Sequence, residues 1–110
     1  MPDSLIPTVT TEAFPDVVIA ASCPVIVEFS AHSSNFPGFS ACQLEVLAAE
    51  YQGRLLVAKV NVESDPALAA AFGIRNLPAI LLYVEGSPRG LIVGKKTAAQ
   101  LREWVQGHLP

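Results

Sequence analysis

The chain is short of charge. Of its 110 residues only 15% are Asp, Glu, Lys or Arg, and the formal net charge is -3. No basic cluster exceeds Lys95-Lys96, so the dense cationic face that nucleic-acid binding requires is missing. Long hydrophobic runs are missing too: the longest apolar stretches fall far below the roughly 20 residues of a membrane span. Cysteine is scarce. Cys23 and Cys42 are the only two, too few for a disulfide scaffold. No His/Cys/Asp/Glu set has the spacing of metal ligands, and neither a metal nor another cofactor is expected. Met1-Pro2-Asp3-Ser4 lacks the basic region followed by an apolar one that marks a signal peptide, so a cytoplasmic chain is expected. Repeats, low-complexity segments and linkers are absent, and residues 1–110 read as one domain.

Apolar residues are what the chain has, at 51% with a mean hydropathy of +0.41. That is enough to fill a core without staples, and the thin surface charge hints at a face that is covered in use. Leu5 to Val9 reads as a short first strand. Thr10 or Thr11 can cap a helix with Glu12 and Asp16 near its first turn, where Pro15 is tolerated. Val25 to Phe29 is a β-branched run apolar on both sides, the pattern of a fully buried strand. A helix is expected from Pro37 or Ser40 to Tyr51, ended by Gln52-Gly53. Phe36 precedes a proline, which disfavours helical geometry there, and Ser40-Ala41-Cys42-Gln43 reads as a capping box. Leu55 to Val62 is a further strand. Ser64 or Asp65 should cap a short helix, Pro66 to Phe72. Ala79 to Val84 and Gly90 to Val93 form a hairpin about Glu85-Gly86-Ser87-Pro88. Thr97 caps a last helix to His108, with Ala98, Leu101, Trp104, Val105 and Leu109 near one face. The order is βαβαβαββα: an α/β fold with parallel early strands, an antiparallel closing hairpin and helices on both faces.

In this order the sequence resembles thioredoxin. Val27-Glu28-Phe29-Ser30-Ala31 stands where that family reads V-D-F-W-A. Glu50-Tyr51-Gln52-Gly53-Arg54, Val57-Ala58-Lys59-Val60-Asn61-Val62, Phe72-Gly73-Ile74-Arg75-Asn76-Leu77-Pro78 and Val93-Gly94 follow in register, with no gap from about Pro24 to Leu109. The resemblance implies the thioredoxin fold, a mixed five-stranded sheet flanked by four helices. The family's W-C-G-P-C falls on Ser33-Ser34-Asn35-Phe36-Pro37. Ser34 and Pro37 occupy the two cysteine positions, and dithiol exchange needs a thiolate and a second thiol. The expectation is therefore a chain that is not an enzyme: a redox-inactive adaptor or chaperone, such as a hydrogenase maturation accessory protein, with a protein or extended peptide as client.

By the same resemblance the client groove comprises Ser33, Ser34, Asn35 and Phe36, then Asn76, Leu77 and Pro78, then Val93 and Gly94, with Phe39 protruding beside Phe36. Leu77-Pro78 is expected to be a cis peptide. Glu28 and Lys59 complete the vestigial site, Glu28 as a buried carboxylate with Lys59 as its neighbour. The alternative is a thiol-dependent oxidoreductase using one relocated cysteine, Cys42 or Cys23. Cys42 is expected a turn and a half inside its helix, next to Ala41 and Leu44, as a small core residue. Cys23 is expected to be an inert loop thiol.

Overall fold

The structure is a computed structural model that describes residues 6–31, 39–77, 79–94 and 96–108, with the backbone alone described for residues 39–43. Its sheet has four strands: β1 (Val25–Ser30), β2 (Leu56–Asn61), β3 (Ala79–Val84) and β4 (Ser87–Val93), in the order β2-β1-β3-β4. The helices are α1 (Phe39–Glu50), α2 (Pro66–Ala71) and α3 (Ala98–Gln106), preceded by a π-helical turn, Pro15–Ile19.

Helix lengths explain the strand directions. The twelve residues of α1 rise about 18 Å at 1.5 Å each, close to the roughly 20 Å of the six-residue β1 at 3.3 Å each. The chain therefore returns to the start of the sheet, and β2 runs parallel to β1. The six residues of α2 rise about half as far. The chain re-enters the sheet at the end where β2 left it, and β3 runs antiparallel to β1. Glu85 and Gly86, both at positive φ (53° and 79°), turn β3 into β4. This is the backbone a tight hairpin needs, and glycine adopts it without cost. Pro88, which cannot donate to a ladder, sits on the edge strand beside a register shift at Leu82/Tyr83.

The two faces of the sheet carry separate cores. On one, Ile26, Ile80, Leu82 and Val57 meet Leu44, Leu47 and Tyr51 of α1 and Leu101 and Val105 of α3. On the other, Val25, Val27, Phe29, Ala58, Val60 and Leu81 meet Phe14, Val18 and Leu68, which belong to or flank the π-helical turn and α2. Phe14, Phe29, Phe72 and Tyr83 form a chain of tilted and edge-on rings, 5.7–6.0 Å between centroids. This burial also raises the pKa of the Tyr83 phenol above its usual range.

Local signals held in several places. Thr97 and Gln100 form a reciprocal capping box on α3, with Gln100 N–H donating to Thr97 Oγ1 at 3.1 Å and Thr97 N–H to Gln100 Oε1 at 2.9 Å. Thr10 Oγ1 accepts from Ala13 N–H at 3.2 Å. Gly53, at φ 86°, ends the α1 turn.

Other expectations need correction. The fifth strand is reduced, within the described residues, to a single bridge of Thr8 with Lys59; two backbone bonds hold it, Val9 N–H to Lys59 O at 2.8 Å and Lys59 N–H to Pro7 O at 3.0 Å. The first helix is a π turn: Pro15 has no N–H to give, and its carbonyl accepts from Ala20, five residues on, at 2.9 Å. Ser40 does not cap α1, which is already helical at Phe39. Asp65 holds the N-cap position of α2 but makes no side-chain cap bond there. Thr11 takes its carboxylate instead, N–H and Oγ1–H both donating to Oδ1 at 2.9 Å.

Candidate functional site

Four chain segments meet at one end of the sheet: the exit of β1, the exit of β2, the entry of β3 and the exit of β4. Leu77 leads into β3, and Val93, the last residue of β4, lies opposite Ala79 in the ladder. Both are apolar and open to solvent, Leu77 at 41% and Val93 at 45% exposure. Asn76 beside them is exposed, and Gly94 follows at φ 100°. Lys96 Nζ stands 4.0 Å from the point where a side chain on Gly94 would begin. Three expected groove positions, Leu77, Val93 and Gly94, are thus brought to one place by the β3-β4 register. Ser33, Ser34, Asn35, Phe36 and Pro37 lie outside the described residues, as does Pro78, and with it the expected cis peptide. Phe39 is the first residue of α1; its side chain lies outside the description.

Glu28 and Lys59 are register partners on β1 and β2, strands about 4.8 Å apart. Glu28 is 4% exposed, the one charged side chain buried among the described residues. It is two residues before the end of β1, on the sheet face that α1 covers, since Ile26 of the same alternation packs against Leu44 and Leu47. The carboxylate therefore lies near the entry of α1. Lys59 is half-buried.

The two thiols separate. Cys23 enters β1 from the far end of the sheet, half-buried and free. Cys42 belongs to α1, whose described residues run Phe39–Glu50; its side chain and its depth from the helix start lie outside the described residues. Its helix follows the β1 exit, at the end that holds Leu77 and Val93. Among the described residues no group of His, Cys, Asp and Glu is placed to hold a metal ion, and no helix is long and apolar enough to cross a membrane.

A mixed sheet with helices on both faces defines the class: a thioredoxin-fold protein. The comparisons specify the family. The thioredoxin profile matches residues 5–107, and the chain belongs to the thioredoxin family. It is 39% identical over 104 residues to a thioredoxin of Mycolicibacterium smegmatis, covering 92% of this chain and 93% of that one. It is 33% identical over 90 residues to thioredoxin 1 of Chlorobaculum tepidum (82% and 89% covered) and 29% over 101 residues to thioredoxin 1 of Nostoc (92% and 94%). These relatives overturn the expectation, drawn from Ser34 and Pro37, that the chain is not an enzyme. Each is named a thioredoxin, and two replaced positions do not outweigh a likeness that spans nearly the whole chain.

Proposed function

We propose that this chain is a thiol-dependent oxidoreductase that acts through a single cysteine, Cys42, on disulfides of protein or peptide clients held at the Leu77-Val93 groove. The observation that supports this reading is order along the chain: α1, which holds Cys42, follows the exit of β1 at the end of the sheet where Leu77 and Val93 lie, while Cys23 enters β1 from the other end. The thiolate is the reactive form of cysteine.

The exchange takes two steps. The Cys42 thiolate attacks one sulfur of a client disulfide; a mixed disulfide forms, and the client's other sulfur leaves as thiolate. A low-molecular-weight thiol of the glutathione class then attacks the mixed disulfide and frees the client thiol. A second molecule of that thiol regenerates Cys42. One client disulfide is reduced to two thiols, and two small thiols are oxidised to one disulfide. The cytoplasm expected from the sequence supplies that reductant.

The test is reduction of a protein disulfide by the full chain with glutathione as reductant, compared with Cys42→Ser and Cys23→Ser. Turnover above glutathione alone should survive Cys23→Ser and disappear with Cys42→Ser. Turnover that survives Cys42→Ser, or none in the unsubstituted chain, overturns the reading.

A further inference from the structure

The charges around the groove are sorted by side. Residues 66–84 and 90–101, which build α2, β3, the exit of β4 and the first four residues of α3, contain no Asp or Glu. Their described cations at the groove end are Arg75, exposed two residues before Leu77, and Lys96, whose ammonium stands by Gly94. Apart from Glu28, buried on β1, the acids of that sheet end lie toward the other edge. Glu63 and Asp65 follow β2 directly, and the Thr11–Asp65 hydrogen bonds draw Glu12 to the same side. The order β2-β1-β3-β4 puts three strand spacings, about 14 Å, between the two edges. A chain of net charge -3 thus keeps its groove wall on the β3-β4 side positive.

We infer that Arg75 and Lys96 make the groove selective for extended clients with Asp or Glu beside the reacting cysteine, and selective against Arg- or Lys-rich ones. This rests on the single-cysteine reading for its rate measurement, but not for its binding measurement. An extended segment laid over exposed Leu77 and Val93 places its flanking side chains next to these two cations. A carboxylate there gains an attraction, and a second cation meets repulsion. At a solvent-open rim such charges act mainly on encounter rate and on rejection of the wrong partner.

The probes are two synthetic peptides that differ only in their flanks, Asp or Lys around one cysteine, each activated as a mixed disulfide with thionitrobenzoate. The full chain carrying Cys23→Ser is the reactant. Attack by Cys42 forms the peptide mixed disulfide and releases one coloured thionitrobenzoate. At about 0.01 M salt, where charges act over about 30 Å, the Asp peptide should react about tenfold faster than the Lys peptide. At about 1 M salt, where the range is about 3 Å, the ratio should approach one. Lys96→Glu and Arg75→Glu should each reduce the low-salt ratio. Equal rates, a faster Lys peptide, or a ratio unmoved by both variants would overturn the inference. Fluorescence polarisation of the same peptides, labelled and with serine for cysteine, reads the preference without any thiol step. Equal binding there defeats the charge selection. Preferential binding of the Asp peptide without coloured release defeats only the single-cysteine chemistry.

Discussion

Replacing Thr97 with alanine is expected to destabilise the chain by about 1 kcal/mol, within the range of about 0.5–2 known for such caps. The cost comes from a single geometry. Thr97 Oγ1 accepts the Gln100 N–H at 3.1 Å, and Gln100 Oε1 accepts the Thr97 N–H at 2.9 Å. Alanine abolishes the first bond and leaves one of the helix's free N–H groups to water alone. A chain of 110 residues unfolds with an entropy near 0.23 kcal/mol/K, from about 2.1 cal/mol/K per residue, so a loss of about 1 kcal/mol lowers Tm by about 4 °C. Three companions define the cause. Thr97→Asp keeps an acceptor and should stay near the parent. Thr97→Gly should cost only a few tenths of a kcal/mol relative to the parent. Gln100→Ala should lose less than Thr97→Ala, and the double variant should lose less than the two singles together, because the two bonds support each other. Thermal unfolding by circular dichroism gives the Tm values, and Trp104, the only tryptophan and a residue of α3, reports that helix separately. A Tm shift under about 1 °C for Thr97→Ala, or a glycine variant as damaged as the alanine one, would refute the account.

Leu101, 1% exposed between α1 and the sheet, should cost about 2–5 kcal/mol as Leu101→Ala, seen as a lower denaturation midpoint; a loss below about 1 kcal/mol would mean the cavity closes. At Gly90 an added Cβ would lie 3.2 Å from Trp104 Cζ2 and 3.4 Å from His108 Nε2. Gly90→Val should therefore displace the indole and shift its emission to the red, and an unchanged spectrum would contradict that packing. The Asp65 carboxyl titrates below its ordinary range because the Thr11 N–H and then the Thr11 hydroxyl bond to the charged form. A lowered folded pKa stabilises above the unfolded value of about 3.9 and is lost as pH falls through the folded one. Thr11→Val removes the hydroxyl bond, so its stability should converge on the parent's as pH falls through the lowered folded pKa of Asp65; a gap that persists in strong acid would assign the effect to packing.

Much of the fold was legible because local and long-range signals agreed. The buried strand at Val25, the Gly53 stop, the Glu85-Gly86 turn and the Thr97 cap each carry a residue type that few alternatives accept. The misreadings share a different origin: a side chain or backbone group was claimed by a distant partner. Asp65 looks like a cap, but Thr11, remote in sequence, holds its oxygen. The first strand looks complete, but only Thr8 bridges to Lys59 among the described residues. That Leu77, Val93 and Gly94 come together at one end of the sheet was readable through the register of the hairpin. The enzyme assignment failed because Ser34 and Pro37 were weighed as deletions of chemistry against a likeness that spans nearly the whole chain.

The Thr8–Lys59 bridge has a consequence for valency. It occupies both backbone groups of Lys59 in the middle of β2, on one outer edge of the sheet. The other outer edge is β4, interrupted near its start by Pro88. Among the described residues, one rim thus has its middle taken up and the other, β4, carries a proline near its start. Sheets that add strands at both rims can grow without end. A sheet with a single free rim can be joined by one neighbour, and two such rims facing each other are consumed together, so edge pairing stops at two copies.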